Sequence, residues 1–147
     1  MINVQNSNKV QLKNDQKSNK KFDLEDWCLK FSQDIIDFLR KLNRDPISTP
    51  MISQLIRSAT SIGANVCEAN EANSKKDFIN KIAIAKKEAR ETRYWLKLIL
   101  YMFPTDKPII EKLLQEGQEL NLILAAIIRN SKNWGLIFII CLNIGFW

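Results

Sequence analysis

From Ser74 to Phe103 the chain carries one unbroken helical pattern. Phe78, Ile82, Ala85, Ala89, Thr92, Leu96, Ile99 and Phe103 follow one another at intervals of 4, 3, 4, 3, 4, 3 and 4 residues. At about 100° per residue, that alternation keeps a narrow apolar seam on one face of a helix, as in helices packed in a bundle. Ser74 suits the N-cap, and Asp77 three residues later can complete a capping box. Pro104 ends the run, because it lacks an N–H and clashes with the preceding turn. A helix this long cannot bury its seam alone, so the rest of the chain has to supply partners for it.

Three further segments do so. The first spans about 23–43, where Leu24, Cys28, Phe31, Ile35, Phe38 and Leu42 repeat at 4, 3, 4, 3 and 4. Its acids Asp23, Glu25 and Asp26 lie in the first turn, and Arg40 and Lys41 in the last, matching the helix dipole. The second spans about 50–70, with Thr49 as N-cap and Pro50 at the first helical position. Its seam is Ile52, Leu55, Ala59, Ile62, Val66 and Ala69, with Gly63 beside it. Small side chains there let a neighbouring helix come close, from this chain or another subunit. The last spans about 106–130, capped by Thr105 with Pro108 in the first turn, and its seam is Ile110, Leu113, Gly117, Leu120, Leu124 and Ile127. Gly117 costs about 1 kcal/mol against Ala in a helix interior, so its place on the seam predicts close packing. No stretch reads as a strand, and four Gly and four Pro leave little room for long loops. The pattern predicts an all-α protein, an up-down-up-down left-handed four-helix bundle over residues 23–130.

The flanks differ from this core. Residues 1–22 are polar, with five Lys against Asp15, and read as a disordered basic arm. They lack the apolar core of a signal peptide. Residues 131–147 form an apolar extension; its uncharged run WGLIFIICLNIGFW is too short for a membrane span of about 20 residues. It reads as a segment covering a groove, as an oligomer contact, or, the reading preferred here, as an extension outside the functional unit.

The 147 residues carry no histidine, which removes His bases, Ser-His and Cys-His pairs and His-containing metal sites together. Cys28, Cys67 and Cys141 are odd in number and lack CxxC spacing, as expected for reduced thiols in the cytoplasm. No phosphate-binding Gly loop, nucleophile elbow or zinc spacing occurs. The expectation is a protein that is not an enzyme and has no catalytic, cofactor or metal site and no small-molecule substrate.

Charge is the stronger clue. The net +6 is uneven: residues 73–104 hold eight Lys and Arg against three acids. Lys86, Arg90, Arg93 and Lys97, spaced 4, 3 and 4, share one face beside the seam, with Lys76 further toward the N-terminus. Like charges at these spacings repel by a few tenths of a kcal/mol per pair, so something negative belongs near them. One candidate is nucleic-acid phosphate. The other is internal pairing with acids such as Asp26, Asp34 and Asp37 of the first helix, or with a neighbouring subunit. Glu88 and Glu91 could do acid–base or metal work, but Lys87–Glu91 reads as an ordinary i,i+4 pair. With Ile84, Trp95, Leu98 and Met102 around them, Glu88, Glu91, Trp95 and Leu98 read as an oligomer interface. Tyr94, Trp95, Trp27 and Tyr101 could stack on bases, although aromatics at helical spacing more often form core or interface.

Two segments carry a resemblance: 54–70 (QLIRSATSIGANVCEAN) and 74–99 (SKKDFINKIAIAKKEARETRYWLKLI). They resemble the bacterial four-helix-bundle proteins encoded in intervening sequences of 23S ribosomal RNA genes, over roughly residues 23–130. The chain departs from the common pattern at Cys67 and Ala69, where Ala and Gly are usual. The resemblance implies a ring-like homopentamer with no established catalytic activity, for which RNA binding is the usual conjecture. A related group, the accessory proteins of diversity-generating retroelements, is associated with nucleic-acid binding. The combined expectation is a cytoplasmic, self-associating protein that binds nucleic acid, RNA ahead of DNA, with no membrane partner. The alternative is a protein–protein scaffold whose basic stripe is used up in salt bridges.

Overall fold

The computed structural model describes residues 23–131. Among them are four α-helices, α1 (Leu24–Leu39), α2 (Ser48–Asn70), α3 (Lys75–Met102) and α4 (Lys107–Asn130), and one 3-10 turn at Pro104–Asp106. No strand occurs among the described residues. The basic arm and, from residue 132, the apolar extension lie outside them.

The seams expected from spacing are the core. Ile82, Ala85, Ala89, Thr92, Leu96 and Ile99 of α3 are buried, as are all six named residues of α2. On α1 the buried set is Leu24, Cys28, Phe31, Ser32, Ile35, Phe38 and Leu39; on α4 it is Ile110, Leu113, Gly117, Leu120 and Leu124. Residues at the ends of the seams, Phe78, Phe103, Leu42 and Ile127, are half-buried and pack against this core.

Adjacent helices are antiparallel. The Ser32 hydroxyl reaches the Ala59 carbonyl at 3.1 Å, while Asn70 donates to Glu25 at 3.1 Å, so α2 descends as α1 rises. Arg57 pairs with Glu91, and Glu68 with Lys81, giving the same sense between α2 and α3. The short link Phe103–Asp106 then folds α4 back along α3. Each helix packs against its neighbours in chain order, α4 closes against α1, and the backbones of the diagonal pairs stay more than 8 Å apart from Cα to Cα.

The helix ends differ from expectation in three places. α1 stops at Leu39 rather than near residue 43, because Lys41 N–H and Leu42 N–H reach back only three residues, to Phe38 and Leu39. Arg40 is thus the C-cap and Lys41 lies beyond the helix. Nor is Thr49 the N-cap of α2. The Asp45 carboxylate accepts the N–H groups of Ile47 at 2.7 Å and Ser48 at 2.8 Å and holds the first turn. Ser48 and Ile47 thereby keep the Asp45 carboxyl below the usual carboxylate range. Thr105 does not cap α4, because Pro104, Thr105 and Asp106 form the 3-10 turn before it. Ser74 caps α3 as expected, accepting Asp77 N–H at 3.1 Å, and Pro108 sits in the first turn of α4.

Both helix-interior glycines face a neighbouring helix of the same chain, Gly63 at ordinary contact distance and Gly117 more tightly. A Cβ on Gly63 would lie 3.4 Å from Cys28 Cβ, where α1 and α2 meet. One on Gly117 would come 3.1 Å from Arg93 Cγ and 3.4 Å from Phe31 Cζ.

Leu96 is fully buried, so Leu96→Asp places an unpaired carboxylate in the core and is expected to cost several kcal/mol in denaturant unfolding; wild-type stability would mean that the α3 register is wrong. Asp45→Ala is expected to lower the melting temperature at pH 7. Because the folded pKa is depressed, this stabilisation is present above about 3.8 and is lost as pH falls below it, so variant and wild type should converge in acid.

Candidate nucleic-acid interface

α3 lies between α2 and α4, so only one side of it meets solvent. Its exposed residues are Lys76, Asn80, Ala83, Lys87, Arg90, Tyr94, Lys97 and Tyr101. These recur at 4, 3, 4, 3, 4, 3 and 4, the same alternation as the seam, half a turn away from it. The crest contains four cations and two tyrosines and no acid. From Lys76 to Lys97 it is roughly 30 Å long at 1.5 Å per residue.

This crest is not quite the stripe expected from spacing. Lys76, Arg90 and Lys97 lie on it, whereas Lys86 and Arg93 are half-buried on its flank toward α4. The Arg93 stem packs over Gly117, and its Nε is buried without a hydrogen-bond partner. Arg93 is thus part of the α3–α4 contact, and Gly117 leaves the space for it. Lys87 takes a place on the crest that the spacing argument gave to a salt bridge. Its supposed partner Glu91 instead accepts from Arg57 of α2 at 2.9 Å and from Trp95 Nε1 at 3.2 Å. A signal was available in sequence: Lys87 is offset from the seam by the half turn that defines the exposed side.

Internal pairing does not neutralise the ridge. Among the described residues none of Lys76, Lys86, Lys87, Arg90, Arg93 and Lys97 forms an ion pair. The acids of α1 expected as partners lie on the helix diagonal to α3 and form no ion pair with it. Asp34 pairs with Lys30, and Asp37 lies 3.7 Å from Arg40, both within their own stretch of chain.

The four residues expected at an oligomer interface are divided. Glu88 is buried at 9 % exposure, with Oε2 enclosed and without a hydrogen-bond partner, so it belongs to the interior of a single chain. Glu91 is committed to Arg57 and Trp95 of its own chain. Trp95 and Leu98 are half-buried on the flank of α3 toward α2. A hydroxyl pair lies deeper in the same contact, where Thr92 and Ser58, both fully buried, meet at 3.1 Å.

Among the described residues no cluster of His, Cys, Asp or Glu could hold a metal ion, and no helix is long and apolar enough to cross a membrane. Burial pushes the Cys28 thiol up to about 12 and that of Cys67, which also bonds to Glu25, up to about 11. Both remain protonated and poorly nucleophilic at neutral pH.

The fold and the acid-free ridge define a class: a small all-α bundle with one strongly cationic helix face. The chain belongs to the 23S rRNA-intervening sequence protein family, whose model matches residues 20–126. A crystal structure of a protein with unknown function from the S23 ribosomal protein family of Bacteroides thetaiotaomicron is similar to it at 36% identity and a TM-score of 0.64. The match covers 72% of this chain and 98% of that one. No curated protein matches the chain.

If Glu91 belongs to Arg57 and Lys87 stands alone, Lys87→Ala should leave the unfolding free energy within about 0.5 kcal/mol of wild type. Arg57→Ala should cost up to about 1 kcal/mol, as for a largely exposed pair. A larger loss from Lys87→Ala in thermal or urea melts would restore the i,i+4 pairing.

Proposed function

We propose that this protein is a non-enzymatic RNA-binding bundle whose working surface is the outer ridge of α3. The observation that carries this reading is a lack of counter-charge: Lys76, Lys87, Arg90 and Lys97 stand exposed in a row, Lys86 and Arg93 flank them, and among the described residues no carboxylate pairs with them. Holding six cations on one side of a helix costs electrostatic energy, which phosphates relieve while releasing condensed counterions. The setting that the family's name gives, an intervening sequence of 23S rRNA, makes that RNA the first nucleic acid to test.

Self-association completes the proposal. A homopentamer, as the family resemblance implies, would repeat the ridge five times and raise avidity for a long polyanion. Trp95 and Leu98 are the side chains of the expected interface that remain partly open for such a contact. A sedimentation mass near five times the 17.1 kDa chain mass is expected. The competing scaffold reading needs the ridge cations to find their acids on another protein, and it predicts no salt-dependent affinity for RNA. The cytoplasm, where ribosomal RNA lies, is the compartment this function requires.

The test is titration of fragments of 23S ribosomal RNA, and of a random RNA of equal length, across about 50–300 mM salt. For wild type, log affinity against log salt should fall with a slope of about −3 to −4, from four to six phosphate contacts at roughly −0.7 each. The triple variant Lys87→Gln, Arg90→Gln, Lys97→Gln should flatten that slope by about 2, with helicity and oligomeric mass unchanged. A triple variant with the wild-type slope would remove the ridge from the function, and loss of the oligomer instead would favour the scaffold.

A further inference from the structure

We propose that Tyr94 and Tyr101 are stacking platforms for unpaired RNA bases, so that the ridge is built for single-stranded rather than duplex RNA. This rests on the phosphate-binding reading and deepens it.

Of the four aromatics near the basic helix, two are committed elsewhere. Trp27 Nε1 donates to Glu116 at 2.8 Å and Trp95 Nε1 to Glu91 at 3.2 Å, and both rings are half-buried against the core. The two tyrosines are different. Tyr94 is 57% exposed and Tyr101 85% exposed. Single exposed apolar side chains are ordinary and need no explanation, but these two share one crest, seven residues apart, and alternate with cations in the order Arg90, Tyr94, Lys97, Tyr101.

Among the described residues, Tyr101 has no ring contact and no hydrogen-bond partner. Tyr94 meets only Trp95, edge-on, at 5.1 Å between centroids and 72° between planes. That contact steadies the ring and still leaves more than half of the residue open.

The geometry suits a flexible strand. Seven residues of helix separate the tyrosines by roughly 10 Å along the axis. Adjacent stacked bases are about 3.4 Å apart, so the two rings would receive bases two or three nucleotides apart, with Lys97 between them for the intervening phosphates. An exposed basic track with aromatic platforms is the arrangement that single-strand binders use. A duplex keeps its bases stacked inside and would meet only the cations.

The experiment compares three probes of equal length on the full chain at one salt concentration: an unstructured uridine oligomer, an abasic ribose–phosphate oligomer and duplex RNA. Wild type is expected to bind the uridine oligomer at least about tenfold more tightly than the abasic one. The double variant Tyr94→Ala, Tyr101→Ala should lose that preference while keeping its abasic affinity within about twofold, and Tyr94→Phe, Tyr101→Phe should retain it. Equal wild-type affinity for the uridine and abasic probes would overturn the stacking role and leave the phosphate-binding reading standing. No binding to any probe would overturn both. A double alanine variant that loses helicity or oligomeric mass would make the tyrosines packing residues and end the proposal.

Discussion

The contact between α2 and α3 is the constraint on which the rest of the molecule depends. It is the most extensive of the helix pairings, and it is held at three levels: the Thr92–Ser58 hydroxyl pair in the core and the Arg57–Glu91 and Lys81–Glu68 ion pairs along the rim. Thr92 and Ser58 also reach the carbonyls of Glu88 and Leu55 on their own helices, so the cross-helix ion pairs, together with the apolar seams, are what favour one register over its neighbours. Small residues, Ala59 and Ala69 on α2 and Ala85 and Ala89 on α3, are buried alongside. Once that register is fixed, the rotation of α3 about its own axis is fixed too.

That rotation sorts the charges. Two acids of α3, Glu88 and Glu91, turn toward α2, where one is buried and the other pairs with Arg57. The cations at the opposite azimuth are left with solvent. Arg93 is the boundary case. Its aliphatic stem covers Gly117 as part of the α3–α4 packing, and its guanidinium Nε is buried in that contact. The ridge is therefore a consequence of how α3 is packed, not of its composition alone.

Much of the candidate site was legible in the residues. Arg90 and Lys97 were identified from spacing and lie on the crest. Lys86 and Arg93 were identified by the same rule but lie on its flank, because the stripe of four is centred on the edge of the crest that faces α4 rather than on its middle. Lys87 was missed because an i,i+4 pair with Glu91 is the default for an isolated helix, and a cross-helix arginine displaced it. Glu88 was expected at an oligomer interface and is buried within the chain instead. Spacing gives the azimuth of a residue within its own helix; it does not give the position of the next helix.

The sequence by itself determined the fold class, the four seams and the long third helix with its Ser74 cap, because apolar periodicity and terminal punctuation act within a few residues of one another. Its errors fall at α1's C-terminus, the Asp45-held start of α2 and the 3-10 turn before α4, where two or three local hydrogen bonds of similar strength compete. Only the tertiary structure decided which acids meet which bases, that Gly63 and Gly117 serve helices of the same chain, and that two tyrosines and four cations share one acid-free crest. Those outcomes depend on distances between residues such as Arg57 and Glu91, far apart in the chain, and the packing of α3 against α2 and α4 sets those distances.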